Sequence, residues 1–496
     1  MSRSEPLIPL TASAQTSYSG LADPVEILLI DGHLKRIEQS VGRLKTKVPP
    51  GVYKLQFKAG LTMEEVPVYV TEDSGPINVD IPALLFSSPA PLDETKTTRE
   101  YHREQSENLS RKIHARLGTG AAIFVFVRDL DGRGRVSPAV GLSLSSLEGE
   151  TLINYGEVAE FGRGRTEDES NLWAGYTAEV NPGSYRLVCD TGEVGVVEQL
   201  VQATPGMQTH VFLTRRAFGD GRSGRRADLL DGSIHMTELG MGFAPYGTSF
   251  RDAELARKAL ANRRPEAVPK ESLRRMLEDK FVNPMLGLYG AYLLTEKEEP
   301  PRKLLGIVMS NLRKLLGEEH PDLAALEVRM AHLGLRKRRP SSIDTPPMIR
   351  LGWGAIVKES ADNHDLVAAD SLAGQVADRL WGRGPWLVWQ QPDLPPDDYQ
   401  PLEDDQISEV LTDIRAAGAD MDEELISSAR LTPLESGILN LTKTMPGDRF
   451  NDPDLRTLAV QSLGVPPTVA SKAVKSLHDK ISKHDRSAAG GVNRGL

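Results

Sequence analysis

Two stretches share one grammar: Pro49-Pro50-Gly51-Val52-Tyr53-Lys54-Leu55-Gln56-Phe57 and Asn181-Pro182-Gly183-Ser184-Tyr185-Arg186-Leu187-Val188-Cys189. Each is a Pro-Gly turn, then a strand with a tyrosine two residues after the glycine. The Pro-Gly sets the turn that launches the strand, and the tyrosine points inward. In the first stretch Tyr53, Leu55 and Phe57 alternate with polar residues at the period of a half-buried strand. Working outward, Val66, Val68 and Val70 repeat the alternation before Val79 and Ile81, and the second stretch is followed by Leu200, Val201, Val211 and Leu213. From Gly51 to Val79 is 28 residues, and so is Gly183 to Val211. Upstream, Val25–Ile30 ends in Asp31-Gly32 and Ala121–Leu130 ends in Asp131-Gly132, both tight-turn signals. Asp31 to Gly51 is 20 residues but Asp131 to Gly183 is 52, which predicts an insertion around Leu147–Tyr176. The reading is a duplicated β unit.

The pattern of apolar strand, Asp-Gly, loop, Pro-Gly-x-Tyr-x-Leu and two further strands resembles the carboxypeptidase-regulatory-like and PEGA-type β-sandwiches, small prealbumin-like modules of bacterial proteins. The resemblance implies spacers or binding surfaces rather than catalysts.

At 496 residues the chain is long enough for three or four domains. Its single cysteine, Cys189, rules out an internal disulfide framework and fits a reducing compartment. No N-terminal apolar run resembles a secretory signal and no segment approaches a membrane span, so a cytoplasmic location is expected. A net charge of −10 argues against diffuse attraction to nucleic acid or anionic lipid.

The fold class expected is multidomain, β then α: two small β-sandwiches, an α-helical region and a C-terminal unit like a helix-turn-helix. Residues 1–24 read as a disordered N-terminus, 25–86 as the first sandwich, 87–118 as a solvated helical linker, and 119–216 as the second sandwich. Residues 217–250, rich in Gly, Arg and Asp, read as a flexible connector. From 251 to 391 helix signals dominate: Glu254–Asn262, Glu271–Lys280, Lys303–Leu316 and Pro321–Leu333 surround the apolar segment Phe281–Leu294. Within that segment Pro284 suits the first helical position, and Gly287, Gly290 and Ala291 form a small-residue face for close packing. The paired helices look like an α-solenoid or tetratricopeptide-style scaffold. Residues 392–406 read as an acidic, Pro-rich linker, 407–484 as a helical unit and 485–496 as a flexible tail.

Trp353, Trp381, Trp386 and Trp389, with Tyr289 and Tyr292, are either core or protein-binding hot spots, because buried aromatics serve both roles. The segment Asn283–Leu294 with the Trp-bearing region looks like bacterial proteins associated with caspase-like (CHAT-type) peptidases of defence gene clusters. That resemblance implies a peptidase partner and proteolytic processing, for which Arg225, Arg226, Arg338 and Arg339 are the candidate accessible sites.

In the C-terminal unit, Thr432-Pro433 offers an N-cap and a first helical position. The run Leu458-Ala459, Leu463-Gly464-Val465, Val469, Val474 and Leu477 resembles the helix-turn-helix of sigma-factor region 4. The resemblance implies a DNA-facing helix with Ser471, Lys472, Lys475 and Lys480 as candidate contacts, although the usual base-reading Arg, Asn and Gln are absent from that face.

No catalytic residue, metal ligand or cofactor site is nominated. The ten histidines lack metal-ligand spacing, and neither a phosphate-binding Gly-rich loop nor a nucleophile elbow occurs. Asp129-Leu130-Asp131 begins like a calcium loop, but Arg133 and Val140 stand where further ligands belong. The function expected is a non-enzymatic scaffold or adaptor that binds proteins. The alternatives are a DNA-binding regulator and a component or substrate of a caspase-like peptidase system.

Overall fold

Gly51 and Gly183 each open a strand in the computed structural model, and the tyrosine hydroxyl two residues on turns back to the residue before the Pro-Gly. Tyr53 Oη donates to the Pro49 carbonyl at 2.8 Å and Tyr185 Oη to the Asn181 carbonyl at 2.7 Å, so each tyrosine fastens the turn that precedes it. The structure describes residues 6–14, 25–41, 43–59, 62–81, 88–92, 100–113, 120–130, 136–163, 172–192, 195–218, 224–335, 340, 342–382, 384–391, 410–411, 414, 431–444 and 465–491.

The first unit has two sheets, one of β4-β1-β7 and one of β3-β2-β5-β6. Its strands are β1 (Ile8–Ala14), β2 (Glu26–Asp31), β3 (Arg36–Val41), β4 (Arg43–Val48), β5 (Gly51–Ala59), β6 (Thr62–Val70) and β7 (Ile77–Ile81). Alternate residues of both sheets meet in one core: Ile8, Leu10, Ile27, Leu29, Leu44, Tyr53, Leu55, Phe57, Val68 and Ile81. Residues 1–24, expected to be disordered, therefore include a core strand.

The second unit repeats this connectivity strand for strand. In the first, β1 lies antiparallel to β4 and parallel to β7; in the second, β8 (Ala121–Asp129) lies antiparallel to β12 (Leu172–Val180) and parallel to β15 (Met207–Ala217). The facing sheet repeats likewise. The ladder β3-β2-β5-β6 becomes β10 (Thr151–Asn154), β9 (Leu142–Ser145), β13 (Gly183–Asp190) and β14 (Val196–Ala203), all antiparallel. Thus Ala121–Asp129 corresponds to Ile8–Ala14, and Leu142–Ser145 is the counterpart of β2. The extra residues lie between β10 and β12, where α2 (Tyr155–Val158) and β11 (Glu160–Arg163) form, inside the expected window.

The linker expected to be a solvated helix does contain a helix, α1 (Glu100–Ser110), but its His102, Ser106 and Leu109 are buried. It covers the outer face of the β8 sheet, where Leu109 joins Phe124, Phe126, Trp173, Phe212, Phe243 and Phe250. Strand β8 is consequently buried on both faces, with Ile123, Val125 and Val127 pointing the other way.

The connector expected at 217–250 is structured over 224–250. Arg225–Ala227 (β16) and Ser233–Glu238 (β17) both pair with β15, and Leu229, Leu230, Ile234 and Met236 are buried. A further strand, β18 (Val388–Gln390), arrives from the far side of the helical region to pair with β14.

Around these strands lie α3 (Thr248–Ala261), α4 (Lys270–Asp279), α5 (Pro284–Thr295), α6 (Arg302–Leu316), α7 (Pro321–His332), α8 (Arg350–Ser360) and α9 (Leu372–Ala377). Helix α5 is central: every one of its residues is buried. Its glycines admit the neighbours, since a Cβ at Gly287 would stand 2.7 Å from Leu312 Cδ2 and one at Gly290 2.8 Å from Leu277 Cδ2. One continuous core runs from Val125 in β8 through Leu200 and Leu286 to Trp389, so the second β unit and helices α3–α7 are packed as one body.

Two C-terminal helices, α10 (Pro433–Thr444) and α11 (Pro467–Gly491), add Ile438, Leu439, Val469 and Leu477 to a core shared with Trp353, Ile356, Leu366 and Val328. The first part of the run that resembles a helix-turn-helix, Leu458-Ala459 and Leu463-Gly464, lies outside the described residues. Among the described residues no helix is long and apolar enough to cross a membrane.

Candidate functional site

The side chains that look chemically most active are consumed inside the fold. Asp129, at the end of β8, is buried and receives Arg215 and Arg225, each at 3.1 Å. Glu254 of α3, fully buried, lies 3.3 Å from His235 Nε2 of β17 and 3.0 Å from Arg257, and accepts from Ser88 Oγ at 2.9 Å. Arg257 reaches on to Asp231 at 2.6 Å. Burial alone would raise the Glu254 carboxyl; Arg257 and then His235 outweigh it and hold it well below the usual carboxylate range. Across the same layer Arg128 donates to His102 Nδ1 and to the carbonyls of Ser88 and Pro89. This network ties the segment before α1, β8, β17 and α3 together.

Asp322 in α7 is a second buried carboxylate. It accepts from Tyr292 Oη and from the Met348 and Ile349 amides at 2.9, 2.9 and 3.1 Å, joining α5, α7 and the entry to α8. Burial pushes its carboxyl up to about 6. His320 caps α7 by accepting from the Asp322 amide through Nδ1, and burial pushes its imidazole down to about 3. His210, enclosed by Phe124, Phe212 and Phe243, is likewise pushed down to about 3, by burial and then by His235. Cys189 is buried with its thiol pushed up to about 12, which keeps it unreactive. Among the described residues no group of three or more His, Cys, Asp or Glu is placed to hold a metal ion.

Of the two roles open to the aromatics, the structure gives them the core one. Trp353, Trp386, Trp389, Tyr289 and Tyr292 are buried, and Trp381 is half-buried beneath the Arg216 guanidinium. Trp386 Nε1 donates to the Gly232 carbonyl at 2.6 Å and Trp389 Nε1 to Glu198 at 2.9 Å. Tyr289 donates to the Ile234 carbonyl at 3.0 Å. The five buried rings do not reach the surface, whereas Trp381 stays partly exposed.

Arg225 and Arg226 lie in β16, paired with Ala217 and Arg216, and Arg225 holds Asp129. A protease needs an unpaired extended segment, so the accessibility expected of this pair is not found; Arg338 and Arg339 lie outside the described residues. On α11, Ser471, Lys472, Lys475 and Lys480 are half-buried, and Lys480 pairs with Glu435 at 2.7 Å. Lys480 is thereby taken up by α10, while the α11 positions that pack into the helical core are Ala473, Val474, Leu477 and Ile481.

What does stand at the surface is one end of the β3-β2-β5-β6 sheet. The Asp31 carboxylate accepts from the His33 and Lys35 amides at 2.9 and 2.8 Å, closing the β2-β3 turn. Within that turn Leu34 has φ 62° and is 80% exposed. A branched side chain in the left-handed region costs about 1–2 kcal/mol. Val52 and Tyr69, directly opposite each other on β5 and β6, are exposed beside the turn, as is Ile37 at the β3 bulge. On the same outer face Lys54 Nζ meets Glu65 at 3.1 Å; Gln56 and then Lys54 hold the Glu65 carboxyl below its ordinary range. Sequence reasoning missed this end. Its signal was a tyrosine and a valine at the outward parity of strands whose inward residues were already apolar.

No family model matches the sequence, and no curated protein matches it. Among solved structures, the TIE protein of Bacillus anthracis is 11% identical with a TM-score of 0.15, over 36% of this chain and 28% of that one. BcpA, the major pilin subunit of Bacillus cereus, is 9% identical with a TM-score of 0.15, over 47% and 88%. The chain thus spans little more than a quarter of the TIE protein. No conclusion about fold or function follows from likeness at this level.

Proposed function

We propose that this protein is a non-enzymatic scaffold or adaptor: two β-sandwiches, of the carboxypeptidase-regulatory-like or PEGA type, and a helical platform on which the second is built. The shared strand connectivity and the shared tyrosine-to-turn hydrogen bond support the duplication. The observation that carries the binding role is the exposed apolar end of the first unit, Leu34, Ile37, Val52 and Tyr69. Its Leu34 bears backbone strain that glycine would relieve, and strain kept at an exposed apolar residue points to function.

The test is affinity enrichment from the native host with the full chain, followed by reconstitution with the purified partner. Leu34→Gly combined with Tyr69→Thr should leave the protein folded, with the turn no less stable, and weaken the complex by about tenfold or more. A complex that forms equally well with the variant would overturn the assignment of this surface.

A further inference from the structure

The two β units differ in one respect that their common connectivity makes informative. In the second, the outer edge of β14 is occupied: β18 pairs with it antiparallel, setting Val197 opposite Gln390, Glu198 opposite Trp389 and Gln199 opposite Val388. Glu198 accepts from the Trp389 indole at 2.9 Å and from Arg186 of the neighbouring strand at 3.2 Å. The registers Gly51 opposite Val70 and Gly183 opposite Ala203 align β5-β6 with β13-β14. By that alignment Glu65 stands where Glu198 does and Lys54 where Arg186 does. The first unit keeps the pairing too, with Lys54 Nζ 3.1 Å from Glu65. Among the described residues, β6 ends its sheet, with β5 on one side and no strand on the other.

We propose that the outer edge of β6 takes up an extended strand from a partner protein, antiparallel at Glu64–Val66, with a side-chain donor of that strand set on Glu65. The inference rests on the protein-binding reading above and names its site and partner chemistry. An edge strand offers unpaired N–H and C=O groups along its length, so an incoming segment gains main-chain hydrogen bonds while side-chain contacts select it. Pro67 aligns with Leu200, just beyond the three residues that β18 pairs, and marks the end of the docked segment because it has no N–H.

Charge selects the occupant. Glu64 and Glu65 are adjacent and exposed, so a second copy of β6 lying antiparallel would set acid against acid, which is destabilising. The segment that fits is basic, with an indole, guanidinium or ammonium opposite Glu65.

The probe is a fluorescein-labelled peptide, Lys-Leu-Val-Trp-Gln-Gln-Lys, which is β18 with one flanking residue on each side, set between lysines, titrated into the full chain with anisotropy and hydrogen-exchange readouts. Saturable binding that slows exchange in β6 is expected. Affinity should fall by about tenfold or more with Glu65→Lys and with a peptide carrying Ala for Trp, and a peptide N-methylated at the Trp amide should also lose it. Glu65→Gln, which keeps an acceptor, should lose less. Absence of binding, equal binding to Glu65→Lys, or protection appearing on β14 instead would overturn the proposal. The enriched partner separates the two readings: one released by the Leu34/Tyr69 variant but retained by Glu65→Lys leaves the binding surface standing and removes the edge.

Discussion

His320 shows how burial turns an ordinary side chain into a pH-dependent one. Its Nδ1 must be unprotonated to accept from the Asp322 amide, and burial holds the imidazole at about 3 against an ordinary value near 6.5. His210 is depressed to the same extent. As pH falls below about 6.5 the unfolded chain binds protons that these two folded histidines refuse, so stability present above 6.5 is lost progressively toward about 3. Each pH unit in that window costs up to about 1.4 kcal/mol per histidine. Asp322 acts in the opposite sense: its carboxyl, raised to about 6, takes up a proton in the folded state first and stabilises as pH falls from about 6 toward 4. Two histidines outweigh one aspartate, so a net acid loss is expected. His320→Asn keeps a capping acceptor and removes one titration, and should flatten the loss between pH 6.5 and 4, measured by denaturant unfolding at each pH. Glu254 supplies a second expectation at this scale. Glu254→Gln leaves Arg257 buried against Asp231 alone and should cost about 3–5 kcal/mol, whereas pairing it with Arg257→Met should recover much of the loss.

Elements were legible where local chemistry decided them. Pro284, the helix signal over Lys303–Leu316 and the Thr432-Pro433 start signal each placed a helix correctly, because caps and periodicity act within a few residues. Thr432 and Glu435 in fact cap reciprocally: the Glu435 amide donates to Thr432 Oγ1 at 3.2 Å and the Thr432 amide to Glu435 at 2.7 Å. What stayed hidden was pairing over long distances. β1 is Ser-, Thr- and Ala-rich and buries one face only, so Ile8–Ala14 reads as a tail until its partners Leu44, Val48 and Val79 are known. β8, covered on both faces, is far more apolar than β1, and its Asp-Gly ending made it look like a counterpart of β2. The Gly- and Arg-rich stretch near 225 became strand because its Arg225 meets Asp129 of β8 and its Asp228 meets Arg216 of β15. The exposed end at Leu34 and Tyr69 had no polar alternation to contradict, so the sequence offered only an unusual outward parity. Glu435 gives this scale its prediction. It also accepts from Ser476 and Lys480 of α11, both at 2.7 Å, so Glu435→Ala should remove the carboxylate half of the α10 capping box and α11's polar anchor together. A loss of about 1–2 kcal/mol is expected, seen first as faster limited proteolysis of the C-terminal helices.

At the scale of the molecule the cores set the units of cooperativity. The first β unit closes on its own core, Leu10, Ile27, Leu55 and Phe57 among its members, and none of these belongs to the cluster that runs from β8 to Trp389. Arg264 makes an ion pair to Glu26 between them, a polar contact rather than a shared apolar core. The second unit has no such independence. β17 and β18, which complete its sheets, flank helices α3–α9 in the chain, and Trp386 donates to Gly232 across the same interior. Removing the helices would strip strands from the sheet, and removing the sheet would expose α5, so neither half is a complete fold. Calorimetry should therefore resolve two transitions rather than three. Phe57→Ala, a large-to-small change in the first core costing about 3–5 kcal/mol, should lower one transition and leave the other in place. Leu293→Ala in α5 should lower the other, and with it the near-ultraviolet signal of Trp386 and Trp389. Loss of helix and of the β13-β14 sheet at separate temperatures would show that the shared core does not bind them into one unit.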